Sequence, residues 1–233
     1  METLNSLEPS FRYLWSMNKE TPTYSDFIAG QRVLVGYVDP TEVRERAIAT
    51  RDRIVERTPR LRTQFGALEL TELNGRATNE YFEQYKPVLQ ELLGPRAIRF
   101  AQPELGVINH SVQYHVDMPF SGSIFGAWCI DGPERIVRFS QMGLEVPFKP
   151  GTLLLFDPAQ PHAMLSPGAL EFSEEQPTDG SLVTMASFMV TKTPKVCEVM
   201  GVERFGVKKH KNLRKTQPQY RACPRTGQLT FQS

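Results

Sequence analysis

The stretch "QYHVDMPFSG", residues 113 to 122, holds His115 and Asp117 two positions apart, ahead of a turn marked by proline and glycine. Another histidine, His162, closes "KPGTLLLFDPAQPH", where a glycine-led apolar run reaches Asp157 and Pro158. Two imidazoles and one carboxylate are a donor set that covers one face of an octahedral Fe(II) and leaves three positions open. Side chains at i and i+2 leave an extended strand on the same side. One strand end can therefore aim His115 and Asp117 at a common point, with His162 arriving from another strand.

The remaining polar candidates read differently. His110 could add a fourth ligand to a zinc or manganese site on a small barrel, but five residues before His115 on an extended chain it faces the other side. His210, inside "VKKHKNLRK", reads as solvated. Asp157 reads as a turn residue with Pro158. Asn109, Gln113 and Tyr114 stand just before or beside the His-x-Asp pair and could line a co-substrate pocket, whereas Phe125 and Trp128 read as core. Cys129, Cys197 and Cys223 are widely spaced with no C-x-x-C pair, which suits reduced thiols rather than a disulfide framework or zinc knuckle.

The elements that must position these residues change period along the chain. Asp39, Pro40 and Thr41 followed by "EVRERAIATRDRIVERTPRL" predict a helix that ends around Pro59. A second helix is expected from Thr78 through "TNEYFEQYKPVLQELLG", with Pro87 a break or a first turn and Gly94 the stop. Between Tyr24 and Val38 the β-branched run reads as a strand. From about Ala97, "AIRFAQ", "SVQYHVD", "SIFGAWCI", "RIVRFSQ", "LEVPF", "TLLLF" and "SLVTMASFMV" predict short strands of a sandwich or small jelly roll. "IDGPER" carries the clearest hairpin signal. "SPGALEFSEEQPTDG", residues 166 to 180, reads as a long acidic surface loop, either a lid or a plain connection.

Charge divides unevenly. From Thr191 onward ten Lys/Arg face two Glu, a net of about +8, which leaves about −7 on the rest of a chain whose total is +1. The basic stretch could track a phosphate backbone, though no nucleic-acid-binding signature accompanies it, so nucleic acid is a possible and not a favoured partner. No apolar run of eighteen residues and no basic-then-apolar start occurs, so a soluble, cytoplasmic protein without a membrane span is expected.

On "HVD" (115 to 117), "PGTLLLFDPAQPH" (150 to 162), the forty-five residues from Asp117 to His162, and helices followed by a β-rich half, the chain resembles the Fe(II)/2-oxoglutarate-dependent dioxygenases over roughly residues 97 to 190. The resemblance implies an α+β fold: a double-stranded β-helix (jelly roll) core over 97–190 with packing helices from the first third, residues 1–96. Together these would form one domain, 1–190, followed by a basic C-terminal extension, 191–233. It implies Fe(II) held by His115, Asp117 and His162, with 2-oxoglutarate and O2 used to hydroxylate or otherwise oxidise a small-molecule or peptide substrate.

The chain departs from that family's common pattern in one respect. "TDGSLVTM", where a basic residue often grips the distal carboxylate of 2-oxoglutarate, has no cation. "RIVRFS" offers Arg135 and Arg138, which point opposite ways on a strand. Arg138, mid-run, is the expected anchor, Arg135 the second choice and Lys192 the third, with Tyr114 and Asn109 as further co-substrate contacts. The alternative is a catalytically silent barrel that binds a metal or ligand and acts through its basic tail.

Overall fold

The computed structural model describes residues 2–6, 14–15, 32–62, 68–72, 76–95, 103–109, 111–115, 123–158, 160–173, 182–201 and 219–232. It is a mixed α/β structure of mostly antiparallel sheets with few helices. In the first part of the chain are β1 (Glu2–Ser6), β2 (Leu14–Trp15), β3 (Arg32–Tyr37), α1 (Thr41–Arg57), β4 (Leu68–Glu72) and α2 (Arg76–Leu93). The central part holds β5 (Glu104–Asn109), β6 (Val112–His115), β7 (Ser123–Asp131), β8 (Arg135–Phe139), β9 (Leu144–Phe148), β10 (Thr152–Phe156), β11 (His162–Leu165) and β12 (Leu182–Thr191). α3 (Pro194–Met200), β13 (Gln219–Ala222) and β14 (Leu229–Gln232) follow.

β5 through β12 form one long antiparallel ribbon folded back on itself. β8 pairs with β9, β7 with β10, β6 with β11 and β5 with β12, each outer pair enclosing the next in sequence. The ribbon passes back and forth between two sheets, so its pairs fall alternately into a larger sheet, ordered β1-β3-β10-β7-β12-β5-β4, and a smaller one, ordered β6-β11-β8-β9. The two sheets enclose an apolar lumen: Ala127, Leu154, Phe156 and Met185 of the larger meet Val137, Phe139, Phe148 and Met164 of the smaller.

The larger sheet's other face carries the helices. There Leu153, Leu155, Phe188 and Val190 pack against Val43, Ala47, Tyr85, Leu89, Val196 and Met200. Tyr85 stacks on Phe188 with ring centroids 4.5 Å apart. The indole N–H of Trp128 donates to Val38 O at 2.9 Å, so this buried ring keeps no unmet donor. Asp131, at the end of β7, accepts from Arg44 (2.7 and 2.9 Å) and Arg51 (2.8 Å) of α1, which fixes that helix against the sheet.

α1 starts where its Asp39 and Thr41 signals predict: Asp39 Oδ1 accepts from both the N–H (3.1 Å) and the hydroxyl (2.7 Å) of Thr41. α2 runs straight through Pro87, which neither breaks nor starts it. Tyr81, Tyr85, Leu89 and Leu93 are buried along one stripe, and their packing outweighs the lost backbone hydrogen bond. Gly94 ends the helix at φ +78, a left-handed conformation open to glycine.

Two expectations are corrected. Asp131, Gly132 and Pro133 do not close a hairpin, because β7 and β8 belong to different sheets. Gly132, at φ +125 beside Leu182 O, turns the chain from one sheet to the other, and the hairpin lies one connection later, at residues 140–143 between β8 and β9. Residues 1–96 are not helical support alone: β1, β3 and β4 extend the larger sheet at both edges.

Of residues 191–233, the described parts pack against the rest of the chain. α3 buries Val196, Cys197 and Met200 in the helix-side core, Lys192 is buried, and β13 pairs with β14 and with β2. Tyr114 N–H donates to Pro224 O and Phe172 N–H to Arg225 O, both at 2.9 Å, so this segment lies along β6 and against the smaller sheet. Dense positive charge conceals these apolar contacts in the sequence. Residues 202–218, with six of the ten cations, lie outside the described residues, as do His110, Asp117, His210, residues 97–102 and residues 174–181. Among the described residues no helix is long and apolar enough to cross a membrane.

Candidate metal centre

β6 and β11 place their histidines opposite one another. His115 and His162 are paired across the two strands, and their rings are 4.3 Å apart between centroids with planes inclined at 51°. A β-bulge makes this possible. His162 faces His115, yet Met164 faces Val112, so three steps on β6 match two on β11. Without the extra residue, Val112 and His115 would point to opposite sides. With it, both face the lumen while Tyr114 turns outward.

Each ring is oriented by a local contact of the same kind. His115 Nδ1 lies 2.8 Å from Gln113 O, and His162 Nδ1 lies 2.8 Å from Gln160 O. A carbonyl oxygen only accepts, so each Nδ1 carries a proton and donates. In the neutral ring the lone pair is then on Nε2, the arrangement in which a ligating imidazole is held by its other nitrogen. Phe156 packs edge-on to His162 with centroids 4.6 Å apart, and Phe139 stands 6.3 Å away, so the His162 ring has a dry aromatic wall.

Two imidazoles on facing strands, each with its tautomer set by a main-chain acceptor, suit a divalent transition metal such as iron, zinc, copper or nickel. Among the described residues no group of three His, Cys, Asp or Glu comes together. Asp117, the expected third ligand, lies outside them, two residues beyond His115.

The expected co-substrate contacts do not join the histidines. Arg138 sits opposite Ala163 and Glu145, on the outer face of the smaller sheet, where its guanidinium pairs with Glu145 at 2.6 Å. Tyr114 is buried on that same outer face with Ala163 and Leu165. Burial pushes its hydroxyl above the usual range, with Arg138 drawing it back. Asn109 pairs across with Leu182, which packs toward the helices.

Arg135 points inward. It faces Phe148 of the lumen, shares its side of β8 with Val137 and Phe139, and is 5% exposed. Alternation shows that the two arginines diverge, but the parity that faces the lumen emerges only from the pairing. Lys192, the third choice, lies within 2.7 Å of Asp157, so Asp157 is also more than a turn residue. Phe125 and Trp128 are core, on opposite faces of β7.

No family model and no curated protein matches the sequence. Among solved structures the chain is similar to the viral collagen prolyl hydroxylase vCPH from Paramecium Bursaria Chlorella virus-1, in its 2OG complex. The two share 11% identity with a TM-score of 0.46 over 68% of this chain and 96% of that one. A Pseudomonas putida prolyl-4-hydroxylase gives 14% identity and a TM-score of 0.46 over 69% and 92%. AviO1 from Streptomyces viridochromogenes Tue57 gives 13% and 0.41 over 69% and 89%.

Proposed function

We propose that the chain is an Fe(II)-dependent oxygenase that uses 2-oxoglutarate and O2 to hydroxylate or otherwise oxidise a small-molecule or peptide substrate. The observation that carries this is the facing pair His115 and His162, each with its Nδ1 proton held by the carbonyl two residues earlier. The nested strand pairing from β5 to β12 supports reading the core as a double-stranded β-helix. Bound Fe(II) with 2-oxoglutarate would supply O2 activation and substrate oxidation, with loss of CO2 to give succinate.

The chain's own residues divide the remaining work. His115 and His162 are two ligands, and Asp117 is the third. Phe139 and Phe156 exclude water from the His162 side and so strengthen the electrostatics inside. Arg135 takes the anchoring role in place of Arg138. Its guanidinium donates to Glu134 O at 3.3 Å, and its planar fork also suits a carboxylate. Arg135 stands four residues along β8 from Phe139, which pairs with His162, a separation of about 13 Å along the strand. A long arginine side chain and a five-carbon diacid can fill that span together.

Anaerobic titration with Fe(II) and then 2-oxoglutarate tests this directly. A weak visible charge-transfer band that needs both components is the expected result. Metal uptake with no band, and no succinate formed in air, would defeat the oxygenase proposal in favour of a silent binding barrel. Zinc retained through purification with no oxygen consumption would point to a zinc site instead.

A further inference from the structure

We propose that the buried pair Lys192–Asp157 is a positioning lock for His162, an inference that rests on the metal reading above. Both side chains are 1% exposed, and their charged atoms are 2.7 Å apart. Removing two charges from water is costly, and apolar residues of similar size often serve stability equally well. What the pair adds is direction: it fixes the end of β10 to the end of β12.

That junction is where the chain crosses from the larger sheet to the smaller one. Asp157 follows Phe156, the last residue of β10, and the crossing delivers His162, the first residue of β11. Gln160 N–H donates to Asp157 O at 2.9 Å, and Gln160 O in turn accepts the Nδ1 proton of His162 at 2.8 Å. Pro158 and Pro161 bring no N–H to the crossing. The buried side-chain amide of Gln160 has no hydrogen-bond partner among the described residues. The carbonyl that orients His162 therefore depends on its main-chain tie to Asp157, and Asp157 is held by Lys192. Lys192 and Asp157 are positioning residues: they act on the ring through Gln160. His115 has its own acceptor, Gln113 O, on a different strand, so the lock serves one histidine and not the other.

The test compares the two histidines in the metal-free, full-length, 15N-labelled protein. In the variant Asp157→Leu/Lys192→Met the Nδ1–H of His162 should exchange with solvent at least about ten-fold faster, while that of His115 is unchanged. Co(II), used as the probe metal, should bind about ten- to a hundred-fold more weakly. A His162 Nδ1–H as protected as in the unaltered protein, or equal loss at both histidines, would overturn the lock. Should that variant not fold, Asp157→Asn, which keeps the shape and removes the charge, is judged by the same comparison. Failure of the unaltered protein to take up Co(II) would defeat the metal reading, and the exchange comparison would still decide the lock.

Discussion

Arg135 and Arg138 are three residues apart on one strand, and exchanging either for a neutral residue should have opposite consequences. Arg135 is 5% exposed and faces the lumen, so under the proposed anchoring role Arg135→Gln would remove a desolvated charged contact to the distal carboxylate of 2-oxoglutarate. Hydrogen bonds to charged groups in such settings are worth about 2–3 kcal/mol, which weakens co-substrate binding by about thirty- to a hundred-and-fifty-fold. The Arg138 and Glu145 side chains are 20% and 47% exposed, and a pair at such a surface contributes about 1 kcal/mol at most. Arg138→Ala should therefore lower the melting temperature by about 2–4 °C and leave co-substrate affinity within about two-fold. The assay is anaerobic titration of 2-oxoglutarate into each Fe(II)-loaded variant, with Fe(II) affinity and thermal melting measured alongside. If Arg138→Ala weakens 2-oxoglutarate as much as Arg135→Gln does, the assignment by strand face is wrong.

Ending the chain after Pro218 removes the acceptors of Tyr114 N–H, Phe172 N–H, Ser140 Oγ and Gln141 Nε2. At roughly 1 kcal/mol each this costs about 3–4 kcal/mol, seen by calorimetry as a melting point lower by about 6–16 °C. An unchanged melting point would mean that the segment is not part of the fold. A short iodoacetamide pulse near neutral pH should label Cys223 first, because a hydrogen bond from Thr226 lowers its thiol below the usual range. Burial pushes Cys129 up to about 12, so Cys129 should react only on unfolding; peptide mass spectrometry reads both. Alkali should destabilise the fold. Burial raises Cys129 from 9.0 and Tyr81 from 10.0, each to about 12, so between these limits the folded state binds more protons than the unfolded one. That stability is fully present below about pH 9 and is lost as pH rises toward 12. Chemical denaturation at pH 8, 10 and 11 should show the decline, and a flat profile would contradict it.

The strands around the histidines were legible because local chemistry dictates them. The ends of β9 and β10 coincide with "LEVPF" and "TLLLF", and His162 opens β11 as its proline-bounded setting suggests. β5 went unseen because Glu104, Gly106 and Asn109 dilute its β-branched signal. The bulge in β6 leaves no mark on composition, yet it decides that Val112 and His115 share a face. Which of Arg135 and Arg138 turns inward depends on pairing with Phe148 and Ala163, residues remote from either in the local pattern. Lys192 and Asp157 stand thirty-five positions apart, and only the nested ribbon brings the ends of β10 and β12 together.

The most direct measurement is a crystal structure of the full chain loaded anaerobically with Fe(II), with the metal located by its anomalous scattering. One ion should lie about 2.0–2.3 Å from Nε2 of both His115 and His162 and from a carboxylate oxygen of Asp117, with both Nδ1 contacts to Gln113 O and Gln160 O intact. An ion bound elsewhere, or one that engages only one of the two histidines, would contradict the metal centre and the oxygenase built on it.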